Sequence, residues 1–313
     1  MKQVEYYKNL HVQLSDINRR AAEDPAGFVA ACEEGYRAQL EAVAAFAGDE
    51  GRYDVLLLAG PTSSGKTTTA HKLSEVFRHR GKMAPVVSLD DFFLGIAQYP
   101  RKPDGTPDME SVYALDIPLI NRCLLELSQN GTALFPQFDF EQSSRKSEWQ
   151  RITLEKQDIL IVEGLHALNP ILVEALDQGK ILKGYVSTRT KFLDGETEIL
   201  TPKNMRLIRR MVRDYNFRGH PPLGTISMWD GILEGEEEYI YPFRDNVDFK
   251  IDSSLDYEAC VFHQYVLPIL GPVLEDPLFG EKAREIKAIL DAFLDIDHAL
   301  IPADSLLREF IGN

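Results

Sequence analysis

The stretch YDVLLLAGPTSSGKTTTAHKL, residues 53–73, determines the fold class of this 313-residue chain. Its centre, residues 60–67, is GPTSSGKT and satisfies the phosphate-loop pattern GxxxxGK(S/T) at every required position. The apolar run at residues 55–59 has the length of a buried parallel strand, and residues 66–80 have helical periodicity. A strand, a glycine loop and a helix in this order predict a nucleotide-binding site.

Each residue type in the loop has a physical role in that prediction. Gly60 and Gly65 permit backbone conformations that a side chain would hinder, so successive N–H groups can turn toward a phosphate. Lys66 is expected to reach the β- and γ-phosphates, and Thr67 to offer its hydroxyl to Mg²⁺. The alternative is a glycine turn that binds no ligand. The predicted nucleotide-binding residues are Gly60, Pro61, Thr62, Ser63, Ser64, Gly65, Lys66, Thr67 and Thr68.

Composition limits the partners and the compartment. The formal net charge of −15 argues against a polyanion such as nucleic acid as the main partner. The three cysteines contain no CxxC pair, which indicates neither a disulfide framework nor a cysteine zinc site, and favours a reducing cytoplasm. No apolar run approaches the roughly 18 residues of a spanning helix, so neither a signal peptide nor a membrane anchor is expected.

Carboxylates follow two apolar segments that are predicted to be strands. A pair of aspartates beginning at Asp90 follows residues 84–89, and Glu163 follows residues 159–162. Because the carboxyl ends of parallel strands face the ligand crevice of an open α/β sheet, both positions are expected near the phosphate loop. Glu163 is expected to support Mg²⁺ from the side opposite Thr67. The aspartate pair either takes part in catalysis or caps the next segment.

A cluster of five arginines occupies residues 206–218 of this otherwise acidic chain. On a helix, spacings of four and three bring Arg206, Arg210 and Arg213 to one face. Two interpretations are open. The cluster is either a solvated basic face or a lid that clamps the charge developing on a transferred phosphoryl group.

Several motifs together make the chain resemble the uridine kinase and phosphoribulokinase family over about residues 53–255. They are GPTSSGKT, SLDDFF, VEGLHALNP and RLIRRMVRD followed by Arg218-Gly219. Together with the terminal SLLREFIG, the combination looks most like a bacterial branch in which the kinase follows a region similar to the N-terminal part of threonyl-tRNA synthetase. The sequence has no such region, so we expect a short member or the kinase portion of a longer protein.

The resemblance implies an α/β phosphate-loop NTPase fold, with a mostly parallel sheet, helices on both faces and helical additions at both ends. The predicted organisation is an N-terminal helical extension at residues 1–50, a kinase domain at residues 51–270 and a C-terminal helical extension at residues 271–313. An arginine lid is predicted at about residues 200–224. Members of the family are often oligomeric, so self-association stays open.

The resemblance also implies transfer of the γ-phosphoryl group of ATP, with Mg²⁺, and roles for individual side chains. Asp90 matches the carboxylate that accepts the proton of the attacking hydroxyl, and Glu110 falls where uridine kinases hold the ribose hydroxyls. The implied catalytic residues are Asp90, Lys66, Arg210, Arg213 and Arg218. The implied acceptor-binding residues are Asp90, Phe93, Glu110, Phe138, Phe140 and Arg213. The implied metal-site residues are Thr67, Glu163 and Asp90.

The departures from the family pattern concern the pocket that binds the base. Uridine kinases have a Tyr-Asp-Phe segment followed by a histidine. Here Phe138 stands in place of the tyrosine, Ser143 in place of the histidine, and Met228 in place of an expected glutamine. These replacements remove polar contacts that would discriminate a pyrimidine.

The predicted acceptor is the 5′-hydroxyl of a nucleoside, with another small alcohol, such as a sugar phosphate or a pantothenate-like acid, as the alternative. A nucleotide-dependent switch and a non-catalytic regulator are alternatives from other classes. No NKxD guanine-binding motif occurs in the sequence, which argues against a GTPase switch.

Overall fold

The computed structural model describes residues 4–5, 10–48, 52–139, 142 and 144–312. Its helices are Leu14–Glu23 (α1), Pro25–Ala47 (α2), Lys66–His79 (α3), Ile117–Asn130 (α4), Pro202–Arg218 (α5), Pro222–Tyr239 (α6), Glu258–Leu270 (α7), Gly280–Leu290 (α8) and Arg308–Ile311 (α9). Its strands are Val4–Glu5 (β1), His11–Gln13 (β2), Val55–Ala59 (β3), Val86–Ser88 (β4), Thr132–Phe135 (β5), Phe138–Asp139 (β6), Ser144–Arg145 (β7), Gln150–Thr153 (β8), Leu160–Glu163 (β9), Ile181–Ser187 (β10), Lys191–Asp194 (β11), Thr197–Leu200 (β12) and Phe249–Asp252 (β13).

A parallel sheet with the strand order β1-β13-β10-β3-β9-β4 forms the centre of the molecule. Each pair of neighbouring strands in it is parallel. Strand β3, which leads into the phosphate loop, lies between β10 and β9 and is buried along its whole length. The predicted α/β fold class is confirmed. Three smaller sheets, β12-β11-β2, β5-β8 and β6-β7, lie outside the central sheet.

Alternate residues of β3 pack into two different cores, because successive side chains of a strand point to opposite faces. Leu56 and Leu58 belong to a core that also contains residues of α2, α3, α5 and α7. Leu57 and Ala59 belong to a core that contains the inner face of α4. The sheet therefore has helices on both faces, as the sequence predicts.

The N-terminal helix α2 begins as its sequence dictates. Asp24 accepts a hydrogen bond from the N–H of Gly27 at 2.9 Å, and Pro25 occupies the first helical position. Apolar side chains of α2, including Phe28 and Leu40, are buried.

One hydrophobic core includes residues of α1 and α2, the central sheet, and the C-terminal residues up to Ile311. The division into segments 1–50, 51–270 and 271–313 stays a prediction. Among the described residues, no helix is long and apolar enough to cross a membrane.

Candidate functional site

The phosphate loop connects β3 to α3 with a left-handed turn. Gly65 has a φ of 76° immediately before the first residue of α3, and Ser63 has a φ of 56°. The N–H of Ser64 donates to the carbonyl oxygen of Pro61 at 3.2 Å. The first N–H groups of a helix have no intrahelical acceptor, so this end of α3 is suited to bind a phosphate.

Steric and polar features of the loop fit a bound polyphosphate. A Cβ atom on Gly60 would lie 2.2 Å from the carbonyl oxygen of Val186, which excludes a side chain there. The hydroxyls of Ser63 and Ser64 are buried and have no hydrogen-bond partner among the described residues. Phosphate oxygens would supply acceptors at this place, since buried hydroxyls normally have a partner.

We predict that Gly60→Ala weakens nucleotide binding, because the atom it would meet is a backbone oxygen of β10 that cannot rotate away. We expect the Kd for ATP with Mg²⁺, measured by calorimetry, to rise roughly tenfold, because an added methyl group forces the surrounding atoms to shift. Gly35→Ala is the matched control, because nothing lies within 4 Å of its added Cβ atom. An unchanged Kd in Gly60→Ala would contradict this account of the loop.

The side chains of Thr67 and Glu163, the two oxygen ligands expected for Mg²⁺, are in contact where β9 ends. Thr67 Oγ1 donates to Glu163 Oε1 at 3.2 Å, and Ser88 Oγ donates to the same oxygen at 2.8 Å. Burial raises the pKa of the Glu163 carboxyl to about 7, with Lys66 acting in the opposite direction. No cluster of three or more His, Cys, Asp or Glu side chains suited to a metal occurs in the described part of the chain. A hydroxyl and one carboxylate fit Mg²⁺ that takes its other ligands from phosphates and water.

The two aspartates after β4 have different positions. Ser88 Oγ accepts a hydrogen bond from the N–H of Asp90 at 3.3 Å, and Asp90 lines the cavity beside the phosphate loop. Asp91 instead accepts a hydrogen bond from the N–H of Phe138 at 2.9 Å. Asp90 therefore lies at the cavity, whereas Asp91 fixes a neighbouring strand. The catalytic interpretation of Asp90 stays a prediction.

A cavity of about 530 Å³ lies next to the phosphate loop and brings most of the predicted site residues together. Predicted residues that line it are Thr62, Ser63, Gly65, Lys66, Thr67, Asp90, Phe93, Glu110, Arg210, Arg213 and Arg218. Lys102, Pro107, Met109, Leu165, Met228, Gly231, Ile232 and Glu309 also line it. Residues of the phosphate loop and the carboxylate of Asp90 thus line the same cavity.

Other predicted residues are not among those that line this cavity. Phe138 packs edge-on against Phe93, with their ring centroids 6.3 Å apart. Phe140, like Ser143, lies outside the described residues. Four predicted nucleotide-binding residues, Gly60, Pro61, Ser64 and Thr68, belong to the loop and the first turn of α3. Their contact with a nucleotide stays a prediction.

A single buried carboxylate organises the three arginines at the cavity. Asp214 lies 3.2 Å from Arg210 Nε, 3.0 Å from Arg213 Nη2 and 3.6 Å from Arg218 Nη1. Arg210 also donates to Thr62 Oγ1 at 2.8 Å. Burial lowers the pKa of the Arg210 and Arg218 guanidinium groups, and the neighbouring arginines add to this shift. Within this group of four side chains the three cations outnumber the one anion, and Asp90, Glu110 and Glu309 add carboxylates to the same cavity.

The other two arginines of the cluster are buried, so the interpretation as a solvated basic face is wrong for them. Arg206 forms a two-pronged ion pair with Glu236, at 2.6 and 2.8 Å. Arg209 pairs with Glu258 at 2.7 Å, and both side chains are fully buried. The lid interpretation of residues 200–224 stays a prediction.

Glu236 is a loop-organising residue that the sequence analysis missed. Its carboxylate accepts hydrogen bonds from the N–H of Thr62 at 3.0 Å and from Tyr241 at 3.1 Å, besides holding Arg206. The sequence shows only an acidic run at residues 234–238, and such a run is usually solvated. The complete burial of Glu236 does not follow from that run.

The lining of the cavity also includes a second carboxylate and apolar side chains. The carboxylate is that of Glu110, and burial raises its pKa. Gly235 of α6 permits this position, because a Cβ atom on it would lie 2.6 Å from Glu110 Cβ. Met109 and Met228 also line the cavity and contribute no charged group to it.

The fold and the loop geometry define a phosphate-loop nucleotide-binding protein. The model of the phosphoribulokinase / uridine kinase family matches residues 55–258. The chain belongs to that family, and ATP and a small-molecule substrate are what the family implies.

Three similar proteins match between 48% and 62% of this chain. A uridine kinase from Halobacterium salinarum is 24% identical over 195 residues, which are 62% of this chain and 77% of that protein. Uridine-cytidine kinase-like 1 from Mus musculus is 29% identical over 189 residues, which are 59% of this chain and 31% of that protein. A possible uridine kinase structure from Bacillus stearothermophilus has a TM-score of 0.39 at 20% identity, covering 48% of this chain and 79% of that one. These comparisons give no support for the finer resemblance to a branch with a region similar to threonyl-tRNA synthetase.

Proposed function

We propose that this protein is a kinase that transfers the γ-phosphoryl group of ATP to a hydroxyl of a small molecule, the 5′-hydroxyl of a nucleoside in the first instance. The supporting observation is that Asp90 shares one cavity with Lys66, Thr67 and the three arginines around Asp214.

Each of these residues has its own role in the proposed reaction. Asp90 accepts the proton of the attacking hydroxyl, and the transferred group bonds to that oxygen as its bond to the leaving diphosphate breaks. Lys66 and the arginines stabilise the negative charge on the phosphoryl group during its transfer. Thr67 and Glu163 would hold Mg²⁺, which would supply positive charge to neutralise part of the charge on the phosphates.

The acceptor is held between Asp90 and Glu110. A carboxylate accepts hydrogen bonds from a pair of vicinal hydroxyls, which suits Glu110 to the ribose of a nucleoside. The apolar Met109 and Met228 favour a second candidate at the same site, a small alcohol without a pyrimidine base. Both candidates use the same chemistry and differ only in the group that occupies the far end of the cavity.

The experiment is to measure ADP formation with ATP and Mg²⁺ against uridine, cytidine, other nucleosides, pantothenate and pentose phosphates. We expect one class of acceptor to stimulate ADP formation well above the rate without acceptor. Stimulation by one nucleoside supports the first candidate, and stimulation only by a non-nucleoside alcohol supports the second. ADP formation that no acceptor stimulates would contradict the proposal and favour a switch or a regulator.

A further inference from the structure

The C-terminal tail, defined here as residues 304–312, packs against the phosphate loop. Leu306 and Phe310 are fully buried, and a Cβ atom on Gly65 would lie 2.7 Å from Leu306 Cδ1. Asn216 Nδ2 donates to the carbonyl oxygen of Phe310 at 3.2 Å and so connects the tail to α5. The tail lies outside residues 55–258, which match the family model. Family membership therefore assigns it no role.

Glu309 is the residue through which the tail reaches the cavity. It lines the same cavity as Lys66, and its Oε2 atom accepts a hydrogen bond from Thr68 Oγ1 at 2.5 Å. Successive threonines of the first turn of α3 thus donate to two different carboxylates, Thr67 to Glu163 and Thr68 to Glu309. This first turn carries the free N–H groups that would bind a phosphate.

We propose that Glu309 is a positioning residue for the nucleoside triphosphate, and that the tail is part of the nucleotide site. By holding the hydroxyl of Thr68, Glu309 fixes the first turn of α3 in the orientation that presents its N–H groups to the phosphates. The inference rests on the proposed function for the identity of the nucleotide. Glu309 acts through Thr68 and not on the phosphates themselves, because two anions repel each other.

Charge and hydrogen bonding predict opposite effects of removing Glu309. If Glu309 only competed with phosphate for the positive end of α3, loss of its charge would tighten nucleotide binding. If it positions Thr68, loss of the hydrogen bond weakens nucleotide binding. Glu309→Gln removes the charge but keeps an oxygen that accepts from Thr68, whereas Glu309→Ala removes both. The two variants therefore separate the two effects.

The test is calorimetric titration of the full chain with the β,γ-imido analogue of ATP and Mg²⁺, without acceptor. We expect Glu309→Ala to raise the Kd roughly tenfold, as for one hydrogen bond to a charged group, and Glu309→Gln to recover most of that loss. Thr68→Val should match Glu309→Ala, and the double variant should lose no more than either, since both remove one interaction. In turnover, the KM for ATP should rise while the KM for the acceptor stays constant.

Asp304→Ala is the matched control in the tail, because its carboxylate is 81% exposed and pairs with Lys72 at 3.2 Å, away from the loop. It should bind the analogue as the unmodified chain does. Thermal unfolding of every variant identifies any loss of affinity that comes from misfolding, and Thr68→Val tests the same interaction without altering the tail.

Three results would overturn the inference: an unchanged Kd in both Glu309→Ala and Thr68→Val, tighter binding in both Glu309 variants, or fully additive losses in the double variant. A wrong assignment of the proposed function would give a different experimental result. In that case the unmodified chain binds the analogue with the expected dependence on Glu309, but no acceptor receives a phosphoryl group. A chain that does not bind the analogue at all would overturn both.

Discussion

Asp90→Asn is expected to lower acceptor-dependent turnover by about 10²–10⁴-fold, the usual contribution of a general base. The asparagine keeps the shape of the side chain but cannot take the proton of the attacking hydroxyl. Asp90 lines the cavity with Lys66 and the arginines, and the other described carboxylates in that lining are Glu110 and Glu309. The measurement is the steady-state rate of ADP formation at saturating ATP and acceptor.

Asp91→Asn is the matched control for that prediction. It alters the adjacent aspartate, which accepts from the N–H of Phe138 at 2.9 Å, and its amide oxygen can still accept that bond. We expect a far smaller loss of turnover. Equal losses in the two variants would mean that the segment needs both carboxylates for its structure, and would remove the argument for Asp90 as the base. Nucleotide affinity should stay within a few-fold in both.

Arg209→Met is expected to produce the largest loss of stability, about 3–5 kcal/mol in the free energy of unfolding, because it removes the buried cation that pairs with the buried Glu258 carboxylate. Arg209 also donates to the carbonyl oxygens of Ser253 at 2.7 Å and Ser63 at 3.4 Å. The phosphate loop therefore loses a contact as well. Urea denaturation followed by circular dichroism measures the change.

Two further variants test the cause of that loss. Arg209→Met with Glu258→Leu removes both buried charges and should recover much of the stability, because neither charge of the pair then remains buried. Arg19→Met removes an exposed arginine that pairs with Asp16 on the surface, and it should leave the urea midpoint nearly unchanged. A single Arg209→Met variant as stable as the unmodified chain would show that the buried pair contributes little.

The elements with strong local signals were predictable. Strand β3 and helix α3 follow from an apolar run, two glycines and helical periodicity, and the structure places them at residues 55–59 and 66–79. Helix α4 ends at Asn130. The next residue is Gly131, which has a φ of 69°, a conformation in which glycine commonly ends a helix. Asp90 and Glu163 were found because a parallel sheet brings the carboxyl ends of its strands to one edge.

The residues that were missed depend on contacts between distant parts of the chain. Glu236 and Glu309 are 174 and 241 residues from Thr62 and Thr68, to which they bond. No local pattern distinguishes them from solvated acidic residues. The partners of Arg206 and Arg209 likewise come from α6 and α7, so helical spacing showed which arginines share a face but not which are buried. Periodicity shows which residues share one face of a helix, whereas the packing of other helices determines whether that face is buried.

The central claim is that the phosphoryl group goes to an acceptor hydroxyl and not to water. The most direct test is ³¹P nuclear magnetic resonance of a reaction containing the protein, ATP, Mg²⁺ and the acceptor that stimulates ADP formation. We predict a new phosphate monoester resonance that grows in step with ADP and nearly vanishes in Asp90→Asn. Inorganic phosphate as the only product, formed equally by both proteins, would contradict the account.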